Sequence, residues 1–181
     1  MAKSVVRLDN VKAVYTGNIF SVKTAAVLEN GFVGKLGAND PVERDVYALE
    51  APVAADKVVL IANPAMIYDN ARLGSGLENQ YQMEIDEIVR AYELEARDKV
   101  GISREGIVTI AVGGAAVAGN YIVVADGTYK LKEITVAAYD ALVTKPAFAA
   151  KVIREDAVGG ALSINTTQTP TTYVVIEVVQ N

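Results

Sequence analysis

Histidine, cysteine and tryptophan are all absent from this chain of 181 residues. Without imidazole or thiol it lacks the side chains that most often serve as nucleophile, acid, base or soft-metal ligand near neutral pH. Disulfide cross-links and Cys-based zinc sites are excluded, although a lack of cysteine does not fix the compartment. Aromatic residues are scarce at 7% of the chain, which speaks against a ligand cage lined by rings. Long apolar runs are missing as well. No window approaches the roughly 18 uninterrupted apolar residues of a membrane span, and the opening Met-Ala-Lys-Ser-Val-Val-Arg-Leu reaches Asp9 before the apolar centre of a signal peptide can form. The chain is therefore expected to be made and kept in the cytosol of its host, with no membrane partner.

What is abundant is Val, Ala, Ile and Leu, which dominate an apolar share of 51% and describe many short, tightly packed strands. The length suits one β-rich domain over 1–181, with two packed β subdomains, about 1–104 and 105–181, as the alternative. Seventeen basic against 22 acidic residues leave a charge of −5, which opposes docking on phosphate backbones unless the bases cluster. They do not: Lys3, Lys12, Lys23, Lys35, Lys57, Lys99 and Lys130 are scattered among acids, so no nucleic acid partner is expected.

Periodicity and turn residues predict a mainly β, compact antiparallel barrel or sandwich with a long exposed loop and at most one or two short helices. Val11–Val22 reads as a hairpin around Thr16-Gly17-Asn18, and Ala25–Leu28 as a continuation of its second strand before a turn at Glu29-Asn30-Gly31. Strands are expected at Arg44–Glu50, at Lys57–Asn63 as a deeply buried run stopped by Pro64, and at Asp98–Ser103. Met83–Glu95 fits helix or strand, and the β surroundings favour a strand over Glu87–Leu94. Further strands are predicted at Gly106–Ile110, Asn120–Val124, Gly127–Leu131, Ala149–Arg154, Ala161–Ile164 and Thr172–Val179, with Asp126-Gly127 as a hairpin turn. Thr135–Ala150 is expected to hold a helix or structured loop. Asn63–Gln82 offers few residues to bury and reads as an exposed excursion suited to surface contact.

Candidate chemistry is thin. Gly31, Gly34 and Gly37 around Lys35 match neither phosphate-binding glycine pattern, so they read as turn glycines. The acid pairs Glu84 with Asp86 and Glu93 with Glu95 sit two residues apart, which on a strand makes an acidic edge rather than a cleft with separated acid and base. Asp40 and Asp69-Asn70 lack the ligand run of a calcium loop, and Ser4, Ser21, Ser75, Ser103 and Ser163 lack the surroundings of a hydrolase nucleophile. No catalytic residue, cofactor or metal is assigned. The nine tyrosines suit interface anchoring, though those on strands are expected in sheet-face packing.

Val5–Val11, the passage Ile19–Gly37, the run Val58–Pro64, the segment Val89–Leu94 and the closing Thr172–Val179 resemble a family of small proteins encoded beside major capsid genes in tailed phages and prophages of Firmicutes. The resemblance spans nearly the whole chain and rests on structural motifs. It implies a non-enzymatic decoration protein that binds the outer surface of an assembled capsid and stabilises it. The implied partners are the major capsid protein and further copies of the chain, a trimer being favoured. The segment Ala2–Leu8 and the excursion Ala65–Gln82 would be its arms, and Lys3, Val5, Arg7, Tyr68, Arg72 and Tyr81 its contact residues. A carbohydrate- or receptor-binding virion module is the alternative, and it calls for exposed aromatics clustered around one concave patch.

Overall fold

The computed structural model describes residues 3–64, 81–111, 114–158 and 171–181. In chain order the described strands are β1 (Val6–Asn10), β2 (Ile19–Thr24), β3 (Val33–Asn39), β4 (Val46–Glu50), β5 (Val59–Ile61), β6 (Ile88–Glu93), β7 (Lys99–Ser103), β8 (Ile107–Val108), β9 (Tyr121–Val124), β10 (Leu131–Ile134), β11 (Ala149–Val158) and β12 (Thr171–Gln180). Two short helices accompany them, α1 (Ala13–Thr16) and α2 (Val136–Asp140), with a 3₁₀ turn at Arg104–Gly106. The mainly β architecture with few helices thus matches the expectation.

Two sheets organise these strands. One is a closed five-stranded barrel in the order β2-β4-β3-β5-β6; the other is an open sheet of seven, β1-β7-β12-β11-β9-β10-β8. The ladders are antiparallel apart from β2 with β4 and β10 with β8. Side-chain alternation explains how the two units share a core. Val59 and Ile61 of β5 enter the barrel with Val22, Leu49, Val89 and Met83, while Leu60 between them joins Val33 and Tyr92 in a second cluster. That second cluster contains Val100 and Ile102 of β7, Val174 and Ile176 of β12, and Ile122 and Leu131 of β9 and β10. The barrel wall is therefore buried on both faces where it lies on the sheet, which is why β5 is an unbroken apolar run. Burying a side chain such as Leu60 contributes about 1.5–3 kcal/mol.

Several local expectations are corrected. The predicted hairpin at Val11–Val22 is a single helical turn, α1, whose C-cap Gly17 takes φ 78°, followed by β2. The positive φ of Gly17 ends a helix rather than turning a hairpin. The strand does not run on through Ala25–Leu28, because the Thr24 hydroxyl accepts the Ala26 N–H and draws the chain into a bend; Leu28 alone bridges to Met83. The strand expected over Gly127–Leu131 begins at Leu131 instead, since Ala125–Lys130 form the β9–β10 loop around Gly127 at φ 70°. Gly31 is a turn residue at φ 86°, whereas Gly34 and Gly37 lie inside β3, where the Leu49 side chain occupies the space a Cβ on Gly34 would need. The strand predicted at Ala161–Ile164 and most of the long excursion fall outside the described residues.

The expected N-terminal arm is also corrected. Residues 6–10 form β1, an edge strand laddered to β7, with Val6 opposite Ile102 and Leu8 opposite Val100. Ahead of it Val5 is only 4% exposed, and its N–H donates to the Ser103 hydroxyl at 3.0 Å. An apolar, strand-forming segment beside an unfilled sheet edge gains more by pairing than by staying extended in water.

Candidate functional site

The residues expected to make surface contacts are spread across the fold. Lys3 pairs with Glu29 at 3.3 Å. Val5 belongs to the interior and presents no side chain to a partner. Arg7 projects from β1 onto the outer sheet face, over the Tyr173 ring at 5.1 Å and within 3.2 Å of Asp156, in the space Gly101 leaves by having no side chain. Tyr81 lies at the barrel end, where its hydroxyl accepts from Asn63 Nδ2 at 2.6 Å and donates to Glu87 at 3.3 Å. Burial raises its pKa above the ordinary tyrosine value. Tyr68 and Arg72 lie outside the described residues. Lys3, Arg7 and Tyr81 are thus built into separate local networks, and the structure gathers them into no single patch.

Charged groups on the sheet mostly serve the fold. Asp156 accepts from Arg154 at 2.7 Å and from Arg7, and the Arg154 hydrogen bond chiefly holds its carboxyl below the ordinary aspartate range. Arg104 clasps Glu155 through two nitrogens, and the same carboxylate accepts the Ala116 N–H at 2.7 Å. The buried Glu133 carboxylate gathers Val117 N–H, Asn120 Nδ2 and Ile110 N–H at 2.8, 2.7 and 3.2 Å, fixing the loop beside β8. Of the acid pairs, Glu84 and Asp86 share an exposed turn, while Glu93 ends β6 and Glu95 pairs with Lys12. Neither pair encloses a cleft between its two carboxylates. Among the described residues no group of three acids is placed to hold a metal ion.

Two concavities were not foreseen from the sequence. One end of the barrel opens into a cleft of about 290 Å³, with Phe20, Leu36 and Val59 inside and Lys35, Asp56, Lys57 and Glu93 around it. Lys35 is engaged there by Glu50 at 3.3 Å and Asp56 at 3.7 Å. The other is a more apolar groove between α2, with the turn that follows it, and β9 and β10. α2 is seated by Tyr139, whose ring stacks on Tyr121 at 3.9 Å and lies under Lys145 Nζ at 4.4 Å, and is started by the Thr135 hydroxyl accepting the Ala138 N–H. The helix expected within Thr135–Ala150 was legible, but the groove beneath it depends on side chains from four separate segments.

Exposed apolar residues form local groups. Val108 on the edge strand β8 is accompanied by Ile110 and Val117, whose N–H groups share the Glu133 carboxylate. At the barrel end Val27, Ile85 and Ile88 are exposed where segment 24–28 runs against 83–88, joined by Leu28–Met83 and Asp86–Thr24 backbone bonds. Among the described residues Tyr15, at 82%, is the one strongly exposed aromatic. No protein-family model, curated protein or solved structure matches this chain.

Proposed function

We propose that this chain is a non-enzymatic capsid decoration protein of a tailed phage, made in the host cytoplasm and bound to the outside of the assembled head, where it stabilises the shell. The reading rests first on the sequence resemblance. The observation that carries it in the structure is the apolar group Val108, Ile110 and Val117 on the short edge strand β8 of an otherwise tied-down sheet. Exposed apolar groups of this kind mark surfaces that meet other proteins, and an edge strand adds unpaired backbone groups for a partner to meet. The reading needs no reactive side chain, only a stiff frame and buried area between neighbours. The alternative of a glycan-binding module is less favoured, because its ring cluster is not seen among the described residues, where Tyr15 stands alone.

Purified heads lacking the protein provide the test. Added back, it should decorate them at saturating stoichiometry and raise the temperature at which they rupture. Val108→Asp with Ile110→Asp should lower occupancy at least about tenfold while leaving the fold unchanged by circular dichroism. Heads that neither bind the native protein nor gain stability from it would overturn the reading.

A further inference from the structure

The groove beside α2 has a volume of about 210 Å³ and is lined by Val123, Ile134, Leu142 and Pro146, with Lys132 and Asp126 on its polar side. Those two charges are in different states. Asp126 accepts the Ala54 N–H at 2.7 Å, whereas the Lys132 ammonium has no hydrogen-bonded or ion-paired partner among the described residues. The volume falls below the roughly 300 Å³ at which sites for whole small ligands begin. It suits one anchoring aliphatic side chain, and the free cation calls for a carboxylate next to that anchor.

The same chain displays such a combination elsewhere on its surface. In the turn Glu84-Ile85-Asp86, Ile85 is 56% exposed between two acids. Asp86 holds the turn with φ 65° and a backbone bond to Thr24 O at 2.9 Å. Its carboxylate is exposed and only loosely approached by Lys23 at 3.8 Å, and Glu84 is also exposed. We propose that this turn of one copy docks in the α2 groove of a second copy, with Ile85 among Val123, Ile134 and Leu142 and an acid of the turn on Lys132. Knob and groove are different surfaces, so the contact is heterologous, and successive copies close into a ring or extend as a filament. It is independent of capsid binding: a strictly monomeric protein that still decorates heads would remove this inference alone.

Analytical ultracentrifugation of the full chain tests it. The native protein should assemble with rising concentration, and Ile85→Asp and Lys132→Glu should each shift assembly at least about tenfold to higher concentration. Ile85 is exposed and Lys132 half-buried, and Leu142→Asp, at an exposed position, is a second groove variant should Lys132→Glu disturb β10. An equimolar mixture of the knob variant and the groove variant should yield dimers and nothing larger, because each mixed pair retains one intact contact. A native protein that is monomeric up to about a millimolar, assembly that survives both substitutions, or mixtures without dimers would each overturn the proposal.

Discussion

Asn30 and Asn63 hold one another through both sides of a single amide: Asn30 Oδ1 accepts the Asn63 N–H at 2.8 Å, and Asn30 Nδ2 donates to the Asn63 carbonyl at 2.9 Å. The side chain thereby supplies two rungs that a strand would otherwise provide. Asn63 passes the connection on to the Tyr81 hydroxyl, so the chain on either side of residues 65–80 is tied together. Asn30→Ala should cost about 1–3 kcal/mol, because it strands a partly buried N–H and C=O at once. Asn30→Asp should be no milder, since it sets a carboxylate against the Asn63 carbonyl. Urea denaturation reads both, and an unchanged midpoint would show that water replaces the clamp.

Deleting residues 2–8 should weaken the fold. It removes the buried Val5, its exchange of hydrogen bonds with Ser103 and most of the β1–β7 ladder. The loss of Val5 burial alone is about 1.5–3 kcal/mol, which corresponds to a fall of about 4–10 °C in the midpoint of thermal unfolding for a chain of this size. A truncated protein with an unaltered melting curve would mean that β1 adds nothing to the sheet.

Acid should destabilise the protein partly through Glu155. The Arg104 hydrogen bond, aided by the Ala116 N–H, lowers this carboxyl below the usual glutamate range in the folded state. A group with a depressed folded pKa contributes stability that is fully present above its unfolded value, about 4.3, and is lost as pH falls through the folded value. Glu155→Gln should therefore flatten the decline in stability below about pH 4.3 as well as reduce stability at pH 7. Identical slopes for the native and variant proteins would contradict this.

Ser4→Ala should be neutral or stabilising, by up to about 1 kcal/mol. The Ser4 hydroxyl is buried and has no hydrogen-bond partner among the described residues, while its backbone N–H keeps its 2.7 Å bond to Glu29 in either variant. The hydroxyl lies where a Cβ on Gly106 would collide with it. A clear loss of stability in Ser4→Ala would indicate that the oxygen fills space the backbone cannot close.

Much of the architecture was legible because apolar residues report burial directly. The run Lys57–Asn63 reads as a deeply buried strand, and its centre is β5, covered on both faces; Ile88–Glu93 is a strand because Val89 and Ala91 face the barrel while Tyr92 faces the sheet. Val14 and Tyr15 misled, since β-prone residues in one short turn carry no helical period, and α1 is no longer than that turn. The N-terminal segment misled for another reason. Its partner β7 is about ninety residues away, and no local pattern announces a pairing at that distance. The candidate surface was least legible. Asn30 reads as a turn residue and Ile85 as one position in the ambiguous pattern of Met83–Glu95, and neither shows its surroundings until the fold is in place.

The barrel strands are all contributed by the chain between β1 and β7, and those two strands lie side by side in the open sheet. Zipping β1 onto β7 in an unfolded chain would close a loop of roughly ninety residues. A barrel that has already folded shortens that loop to the gap between its own entry and exit. Loop entropy thus favours an order in which the barrel forms early and β1 pairs with β7 after it.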